Sequence, residues 1–274
     1  MSKMYIDIGG TKLRCELFLN DIILKEEVLS IEVDLIEYIE KKILKHDDIN
    51  FIGISFAGQV DDGVILSSPN IKIKEKDIKS YIFKKYKIAL KIENDLKCAL
   101  IAERNYTDES NIAMLFVGTG LGSAVSDNGR IVRGEKNIAC EIGHIPFKKA
   151  PFLCGCGKNN CIELFASGSG LEKWENYYDL PKFDLEELSA SEDKNAKKIY
   201  KNFIEALLVA AGNIITLFNP KVLILGGGVV RTNPYLLDVI KENIKNYALL
   251  QSCEDLNIII SKLKNSSLEG AKLL

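Results

Sequence analysis

The sequence predicts an α/β protein of two domains, on three observations. Its 274 residues correspond to about two domains at the usual ~150 residues each. Short apolar strands alternate with amphipathic helices along the chain, which is typical of the α/β class. A strand, a glycine turn and a second strand at 4–18 recur at 112–126. The recurrence indicates an internal duplication, with each copy opening one domain.

Apolar spacing predicts the elements of the first half. Residues 4–8 form an apolar run before a glycine pair, and apolar and polar side chains alternate over 13–18. This pattern predicts two strands joined by a tight turn. Leucine and isoleucine recur at helical spacing within 33–46, which predicts an amphipathic helix. The further predicted elements are strands at 51–56 and 88–92 and a helix from Asp95 to about Arg104.

The second half repeats the scheme. Two predicted strands flank the glycine-rich segment from Gly118 to Gly122, and a long apolar helix is predicted at 196–218. Asn219-Pro220 ends that helix, because proline cannot continue one. The remaining predicted elements are a strand at 221–225 that runs into three glycines, a helix at about 234–248 and a strand at 257–261. His46, Trp174, the lysine-rich stretch 72–91 and the apolar stripe of 196–218 are assigned to surface or core.

Charge and hydropathy exclude several classes of protein. Lys+Arg 36 against Asp+Glu 38 gives a formal net charge of −2, which argues against a broadly basic surface for nucleic acid. No continuous apolar run reaches the ~18 residues that span a membrane. Asp7 lies where a signal peptide would need its apolar region. We therefore expect a cytoplasmic protein with no nucleic-acid or membrane partner.

A histidine and three cysteines form the sharpest motif. Seven cysteines, an odd number, in a reducing compartment indicate thiols or metal ligands, not a disulfide framework. His144, Cys154, Cys156 and Cys161 lie within 18 residues and match a tetrahedral zinc site in ligand type and number. Four protein ligands fill the coordination shell, so this zinc is predicted to be structural. The alternative is a set of unligated surface thiols.

Three glycine-rich turns follow strands, where backbone amides can approach phosphate oxygens. They contain Gly9, Gly10, Thr11 and Lys12; Gly118, Thr119 and Gly120; and Gly226 and Gly227. The second is neither a Walker motif, because no Lys-Ser/Thr follows, nor a Rossmann fingerprint, because a strand follows it. Ordinary hairpin turns are the alternative explanation. Together the three turns indicate a nucleotide held between two domains.

Carboxylates mark the remaining candidate site. Glu93-Asn94-Asp95 closes a strand and opens a helix, where Asp and Asn commonly serve as helix caps. The functional alternative is a general base that takes a proton from a hydroxyl attacking a phosphate. Glu141 and Glu163 flank the cysteine cluster and are either solvated charges or acceptors for sugar hydroxyls.

Taken together, these motifs resemble the ROK family (repressor, open reading frame, kinase) nearly end to end. The most specific match is Glu141-Ile-Gly-His144 followed by Cys154-Gly-Cys156-Gly and Cys161-Ile-Glu163. The other matching segments are Asp7-Ile-Gly-Gly-Thr-Lys12, Ala57-Gly58-Gln59-Val60-Asp61, Glu93-Asn94-Asp95, Gly118 to Gly122, Asn219-Pro220 through Val229, and Gly270-Ala271. Ala57 replaces the proline that is usual in this family.

The resemblance implies an actin-like, hexokinase-type fold with an interdomain cleft. The expected N-terminal α/β domain is 1–108, joined by a closing helix at about 264–274, and the C-terminal domain with the zinc loop is 109–263. The family divides into sugar kinases and sugar-responsive repressors with an N-terminal helix-turn-helix domain. Because the first glycine turn begins near residue 7, we expect a kinase.

The resemblance also implies roles for individual residues. Asp95 is the expected base, and Asp7 the expected magnesium residue, through water. The expected sugar-binding residues are Gly58, Asn70, Asn94, Glu141, His144 and Glu163, with one His144 nitrogen on zinc and the other toward the sugar. The expected nucleotide-binding residues are Gly9, Gly10, Thr11, Lys12, Gly118, Thr119, Gly120, Gly226 and Gly227. ATP, Mg²⁺ and structural Zn²⁺ are the implied cofactors, and a homodimer is the implied assembly.

The implied activity is phosphorylation of the 6-hydroxyl of a hexose or N-acetylhexosamine by ATP, with glucose or N-acetylmannosamine first among the substrates. The motifs also fit N-acetylglucosamine, mannose and allose. A sugar-sensing regulator that kept the fold without the chemistry is an alternative. So is a zinc-dependent hydrolase, against which the closed four-ligand shell argues.

Overall fold

The computed structural model describes residues 2–19, 22–29, 32–68 and 71–274, and these form two compact units. Unit 1 combines 1–108, 133–139 and 263–274, and unit 2 combines 109–132 and 140–262. The predicted domain bounds, which kept all of 109–263 together, stay a prediction. In the structure, the short segment 133–139 belongs to unit 1.

Unit 1 is a five-stranded sheet with helices and a small hairpin. Its elements up to residue 108 are β1 (Ser2–Ile8), β2 (Lys12–Leu19), β3 (Ile22–Leu29), α1 (Leu35–Lys45), β4 (Ile49–Phe56), β5 (Gln59–Asp61), β6 (Val64–Ser67), α2 (Ile78–Tyr86), β7 (Ala89–Asn94) and α3 (Asp95–Glu103). The strand order is β3-β2-β1-β4-β7. The strands β1, β4 and β7 run parallel, whereas β2 and β3 are antiparallel to their neighbours.

The register of the parallel strands sets up the polar groups of unit 1. Asp7 of β1 lies opposite Ser55 of β4, and Ser55 lies opposite Glu93 of β7. Neighbours in register point to the same face of a sheet, so these three side chains form one row. The row lies one residue before the end of each strand, at the edge where ligands bind in open α/β sheets.

Unit 2 repeats this sheet design. Its elements are β8 (Ile112–Val117), β9 (Leu121–Asp127), β10 (Arg130–Ile131), α4 (Gly168–Tyr177), α5 (Leu185–Ala190), α6 (Lys194–Phe218), β11 (Val222–Gly226), α7 (Gly228–Thr232), α8 (Leu236–Asn243) and β12 (Asn257–Ile260). The order β10-β9-β8-β11-β12 has the same strand directions as the sheet of unit 1. This shared topology agrees with the duplication read from the sequence.

One predicted helix is longer than the observed one, and one observed helix was not predicted. The predicted helix at 234–248 is too long, because α8 ends at Asn243 and a 3-10 turn follows at 244–246. The lysine-rich stretch 72–91, assigned to surface or core, contains α2, which buries Ile78 and Ile82. The lysines alternate with those apolar positions, so one face of the helix packs while the other is solvated.

The helix α6 is the central helix of unit 2. Among the described residues it is the one helix whose length and composition would allow it to cross a membrane, and half of its most apolar window is buried inside the structure. Its buried residues include Phe203, Leu207 and Ile214, which belong to the apolar core of unit 2. Packing in that core accounts for its apolar character.

The chain ends in unit 1. The last helix, α9 (Ser266–Ala271), packs against α3 and against β1 and β4. Leu268 and Ala271 are buried there. The helix that carries Asp95 is therefore held by the sheet on one side and by the end of the chain on another.

Candidate functional site

In unit 2, His144, Cys154, Cys156 and Cys161 lie together, with all four potential ligand atoms within 4.8 Å of one another. The Cys154 Sγ lies 3.6 Å from the His144 Nδ1, and the Cys156 Sγ lies 3.3 Å from the Cys161 Sγ. Tetrahedral zinc with Zn–S ~2.3 Å and Zn–N ~2.0 Å separates its ligand atoms by roughly 3.5–3.8 Å. The donor set and its spacing therefore fit a structural zinc, as the sequence predicts.

Backbone pairing explains how these ligands come together. Pro146 and Cys161 form an antiparallel bridge, and the Phe147 N–H donates to the Asn160 carbonyl at 2.7 Å. Further along, the Cys154 N–H donates to the Lys158 carbonyl at 2.7 Å. The segments 146–154 and 158–161 thus pair with each other, and this pairing brings the cysteines close to His144.

The His144 ring lies between the cysteine cluster and Glu141. Its Nδ1 faces the Cys154 sulfur, and its Nε2 lies 4.0 Å from the Glu141 Oε2. A 3-10 turn at Ile142–His144 places the two side chains three residues apart on one side. The ring can therefore ligate a metal through Nδ1 while Nε2 is directed toward Glu141, the arrangement expected from the two distinct nitrogens.

The Glu163 carboxylate joins the cysteine loop to the second glycine turn. Its Oε2 accepts a hydrogen bond from the Leu121 N–H at 3.0 Å, and its Oε1 lies 3.4 Å from the Cys154 Sγ. The space for this carboxylate exists because residue 120 is glycine, since a Cβ there would lie 2.6 Å from the Glu163 Oε2. The two segments were predicted separately, and only the structure shows this bond.

The second glycine turn connects β8 to β9 and is braced from outside. The Gly118 N–H donates to the Gly120 carbonyl at 2.9 Å inside the turn. From the start of α4, the Gly168 N–H donates to the Gly118 carbonyl at 2.8 Å and the Ser169 N–H to the Thr119 carbonyl at 3.1 Å. The turn is thus held by one hydrogen bond of its own and by two from the start of α4.

The third glycine turn follows β11 beside the second. Gly227 has φ +90, which side chains rarely adopt, and a Cβ there would lie 2.3 Å from the Val117 carbonyl oxygen. Glycine is therefore required at this position. The close backbone approach places the end of β11 next to the end of β8, where both turns emerge.

In unit 1, the first glycine turn closes between β1 and β2. The Gly9 N–H donates to the Lys12 carbonyl at 2.8 Å, and Gly10 lies within the turn. Thr11 and Lys12 are exposed, and the Lys12 ammonium forms an ion pair with Glu27 at 2.6 Å. A phosphate-binding role for Lys12 stays a prediction and would require the ammonium to leave this exposed partner.

Asp7 is buried at the end of β1. Its Oδ1 accepts a hydrogen bond from the Ser55 hydroxyl at 2.7 Å, and its Oδ2 lies 3.5 Å from the Arg14 guanidinium. Burial raises the pKa of the Asp7 carboxyl, and the Ser55 hydroxyl and Arg14 oppose that shift. Neither Ser55 nor Arg14 was singled out from the sequence. The role of Asp7 toward Mg²⁺ stays a prediction.

Asn94, rather than Asp95, caps the helix α3. The Asn94 Oδ1 accepts from the N–H groups of Leu96 at 3.1 Å and Lys97 at 3.2 Å. Its Nδ2 donates to the Gly58 carbonyl and to the Asp95 Oδ1, both at 3.1 Å. Asp95 is the first residue of the helix, and its Oδ1 also accepts a hydrogen bond from the Leu96 N–H, at 2.9 Å. The cap explanation considered for the Glu93-Asn94-Asp95 segment therefore applies to Asn94, and the role of Asp95 as a base stays a prediction.

The structure divides the predicted site residues between the two units. Unit 1 holds Asp7, Gly9, Gly10, Thr11, Lys12, Gly58, Asn94 and Asp95, and unit 2 holds Gly118, Thr119, Gly120, Glu141, His144, Cys154, Cys156, Cys161, Glu163, Gly226 and Gly227. Within unit 2, the cysteine cluster, Glu163 and the second turn form one connected group. Asn70 lies outside the described residues.

The family model that matches this chain is that of the ROK family, over residues 4–274. The N-acetyl-D-glucosamine kinase of Vibrio vulnificus is 30% identical over 250 residues, covering 81% of this chain and 82% of the relative. The xylose repressor of Caldicellulosiruptor bescii is 25% identical, covering 88% of this chain and 66% of the repressor. The crystal structure of the ROK hexokinase from Thermus thermophilus has a TM-score of 0.78 at 26% identity, covering 100% of this chain and 97% of that one. This likeness confirms the predicted actin-like, hexokinase-type α/β fold.

Proposed function

The chain belongs to the ROK family, and from that premise we propose that it is an ATP-dependent kinase for the 6-hydroxyl of a hexose or N-acetylhexosamine. The observation that carries the proposal is the position of Asp95. It follows the parallel strand β7 directly, at the first residue of α3, while Asn94 serves as the cap. A carboxylate there, where no helix cap is needed, suits a base at a ligand-binding sheet edge.

Phosphoryl transfer asks a protein mainly to align the groups and to neutralise charge. In the proposed reaction the Asp95 carboxylate accepts the proton of the sugar 6-hydroxyl, whose oxygen attacks the γ-phosphorus of ATP. The bond from the γ-phosphorus to the β–γ bridging oxygen breaks, and ADP leaves with that oxygen. The Asn94 amide holds the Asp95 carboxylate through its Nδ2. Glu141, His144 and Glu163 are the proposed sugar ligands of unit 2.

The glycine turns are the proposed phosphate and nucleotide contacts. Gly9, Gly10, Thr11 and Lys12 in unit 1 and Gly118, Thr119 and Gly120 in unit 2 would surround the phosphates, and Gly226 and Gly227 would pass beneath the nucleotide. Bound Mg²⁺ would supply positive charge to the phosphate oxygens, held by Asp7 through water. A zinc held by four protein ligands would supply fixed geometry to the loop that carries His144 and Glu163.

The proposal is tested with a panel of sugars and ATP in a coupled assay. Glucose and N-acetylmannosamine are the substrates proposed first, and N-acetylglucosamine joins the panel because the Vibrio relative carries that name. Turnover is expected with at least one of them, and the 6-deoxy form of that sugar should bind without accepting phosphate. Labelled phosphate on the anomeric oxygen would contradict the assigned regiochemistry.

A sugar-sensing regulator is the second candidate, favoured by the similarity to the xylose repressor. It predicts that a sugar of the panel binds in calorimetry while ATP is not consumed. The same experiment therefore separates the two functions. A homodimer and a cytoplasmic location remain predictions beside the proposed kinase activity.

A further inference from the structure

A short segment that the motifs did not include holds both flanks of the Asn94-Asp95 pair. Residues 133–139 leave unit 2, join unit 1 and return to unit 2 at Cys140. Within this segment, Asn137 is half-buried, whereas residues 133–136 and 138 are exposed. Asn137 also adopts a left-handed backbone conformation, with φ +56. The Asn137 side chain is thus turned inward, whereas most of segment 133–139, which we call the strap, is exposed.

The Asn137 side chain makes three hydrogen bonds, all within unit 1. Its Nδ2 donates to the Glu93 Oε1 and to the Val60 carbonyl, both at 2.8 Å. Its Oδ1 accepts from the Lys97 ammonium at 2.8 Å, and its backbone carbonyl accepts from the same ammonium. A primary amide has two N–H donors and one carbonyl oxygen, so each group of this amide is engaged.

The two residues that it contacts are buried and charged. Glu93 is 5% exposed and Lys97 is 3% exposed. Lys97 lies in the first turn of α3, where the helix dipole disfavours a cation. A buried charge requires hydrogen-bond partners, and the strap supplies them to both residues. Arg133, at the start of the strap, adds an ion pair to the Glu93 Oε2 at 2.9 Å.

Glu93 passes this constraint on to the proposed base. Its Oε1 accepts the Asn94 N–H at 2.8 Å as well as the Asn137 Nδ2–H. The Asn94 side chain in turn contacts the Asp95 Oδ1. A displaced Glu93 would therefore shift the backbone that carries Asn94 and Asp95.

We propose that Asn137, supported by Arg133, is a positioning residue that fixes the Asp95 carboxylate through Glu93 and Lys97. The inference rests on the proposed kinase function for its catalytic consequence.

The test uses Asn137→Gly, which removes the amide and still permits the positive φ. The expected result is a kcat about 10-fold lower, the scale of one lost hydrogen bond to a charged group, with KM for sugar and ATP within about 2-fold. Because the effect runs through the base, Asn137→Gly should lower the residual rate of Asp95→Asn much less. The matched control is Asn128→Gly, an exposed turn residue with φ +48.

A second variant and a second measurement keep the inference falsifiable. Arg133→Met removes the ion pair from an exposed side chain and should lower kcat in the same direction. In hydrogen exchange, the Leu96 and Lys97 amides of Asn137→Gly should lose about 10-fold of protection. An unchanged kcat, or an equal loss with and without Asp95, would overturn the inference. If the wild type phosphorylates no sugar, the proposed function fails. Hydrogen exchange then tests the positioning role of Asn137 by itself, and unchanged protection of the Leu96 and Lys97 amides would refute that role.

Discussion

Replacing Gly120 by alanine should displace the Glu163 carboxylate without unfolding unit 2. The new Cβ would lie 2.6 Å from the Glu163 Oε2, whereas an ordinary contact is about 3.4 Å. The carboxylate must therefore retreat by about 0.8 Å. Because the atom that moves is the end of a flexible side chain, unit 2 should stay folded, and the free energy of unfolding should fall by no more than about 3 kcal/mol, the upper value for one lost hydrogen bond to a charged group.

The retreat determines the size of the functional effect. A retreat of this size lengthens the distance from the Glu163 Oε2 to the Leu121 nitrogen from 3.0 Å to about 3.5–3.8 Å, at or beyond the limit of a hydrogen bond. A hydrogen bond to a charged group contributes about 1.5–3 kcal/mol. If Glu163 binds the sugar, its misplacement should weaken sugar binding by about 10- to 100-fold.

Calorimetric titration with the best sugar of the panel, without nucleotide, measures this effect separately from phosphate binding. The control is Gly155→Ala in the same cysteine loop, where a Cβ would meet no atom within 4 Å among the residues that the structure describes. Gly155→Ala should bind sugar as the wild type does. Equal sugar affinities for Gly120→Ala and Gly155→Ala would refute the assignment of Glu163 as a sugar ligand held by the turn.

Two further predictions follow from the same geometry. Asp95→Asn retains an oxygen for the Leu96 N–H, now at 2.9 Å from the Asp95 Oδ1, so fold and sugar binding should persist while kcat falls by about 10²- to 10⁴-fold; near-normal turnover would exclude Asp95 as the base. Cys156→Ser removes the exposed member of the cysteine cluster, so metal analysis should fall from about one zinc per chain to none. The KM for sugar should rise in this variant. The KM for ATP should change less, because the Gly168 N–H still holds the Gly118 carbonyl. Wild-type protein without zinc that is fully active would contradict the coupling of metal to sugar binding.

Local patterns in the sequence were sufficient to predict the fold class and the cluster of one histidine and three cysteines. Alternation and helical spacing depend on residues a few positions apart, so β1, β2, α1 and α6 lie close to their predicted ranges. The four metal-ligand candidates lie within 18 residues, and their spacing allowed the cluster to be predicted. The short or charged elements β3, β5, β6, β10, α2, α4 and α5 were missed, because they lack a clean apolar period.

The tertiary structure decided how the parts of the site are held. Asn137 and Glu93 are separated by 44 residues, and Glu163 and Leu121 by 42. Hydrogen bonds of this kind depend on where the chain returns in space, which apolar spacing does not encode. The sequence places a lysine in the first turn of α3, where the helix dipole disfavours a cation. Only the structure shows that Lys97 is buried and that its partner Asn137 lies 40 residues away. The sequence by itself thus determined the fold class and the candidate residues for the chemistry, and only packing determined which backbone and side-chain groups hold those residues in place.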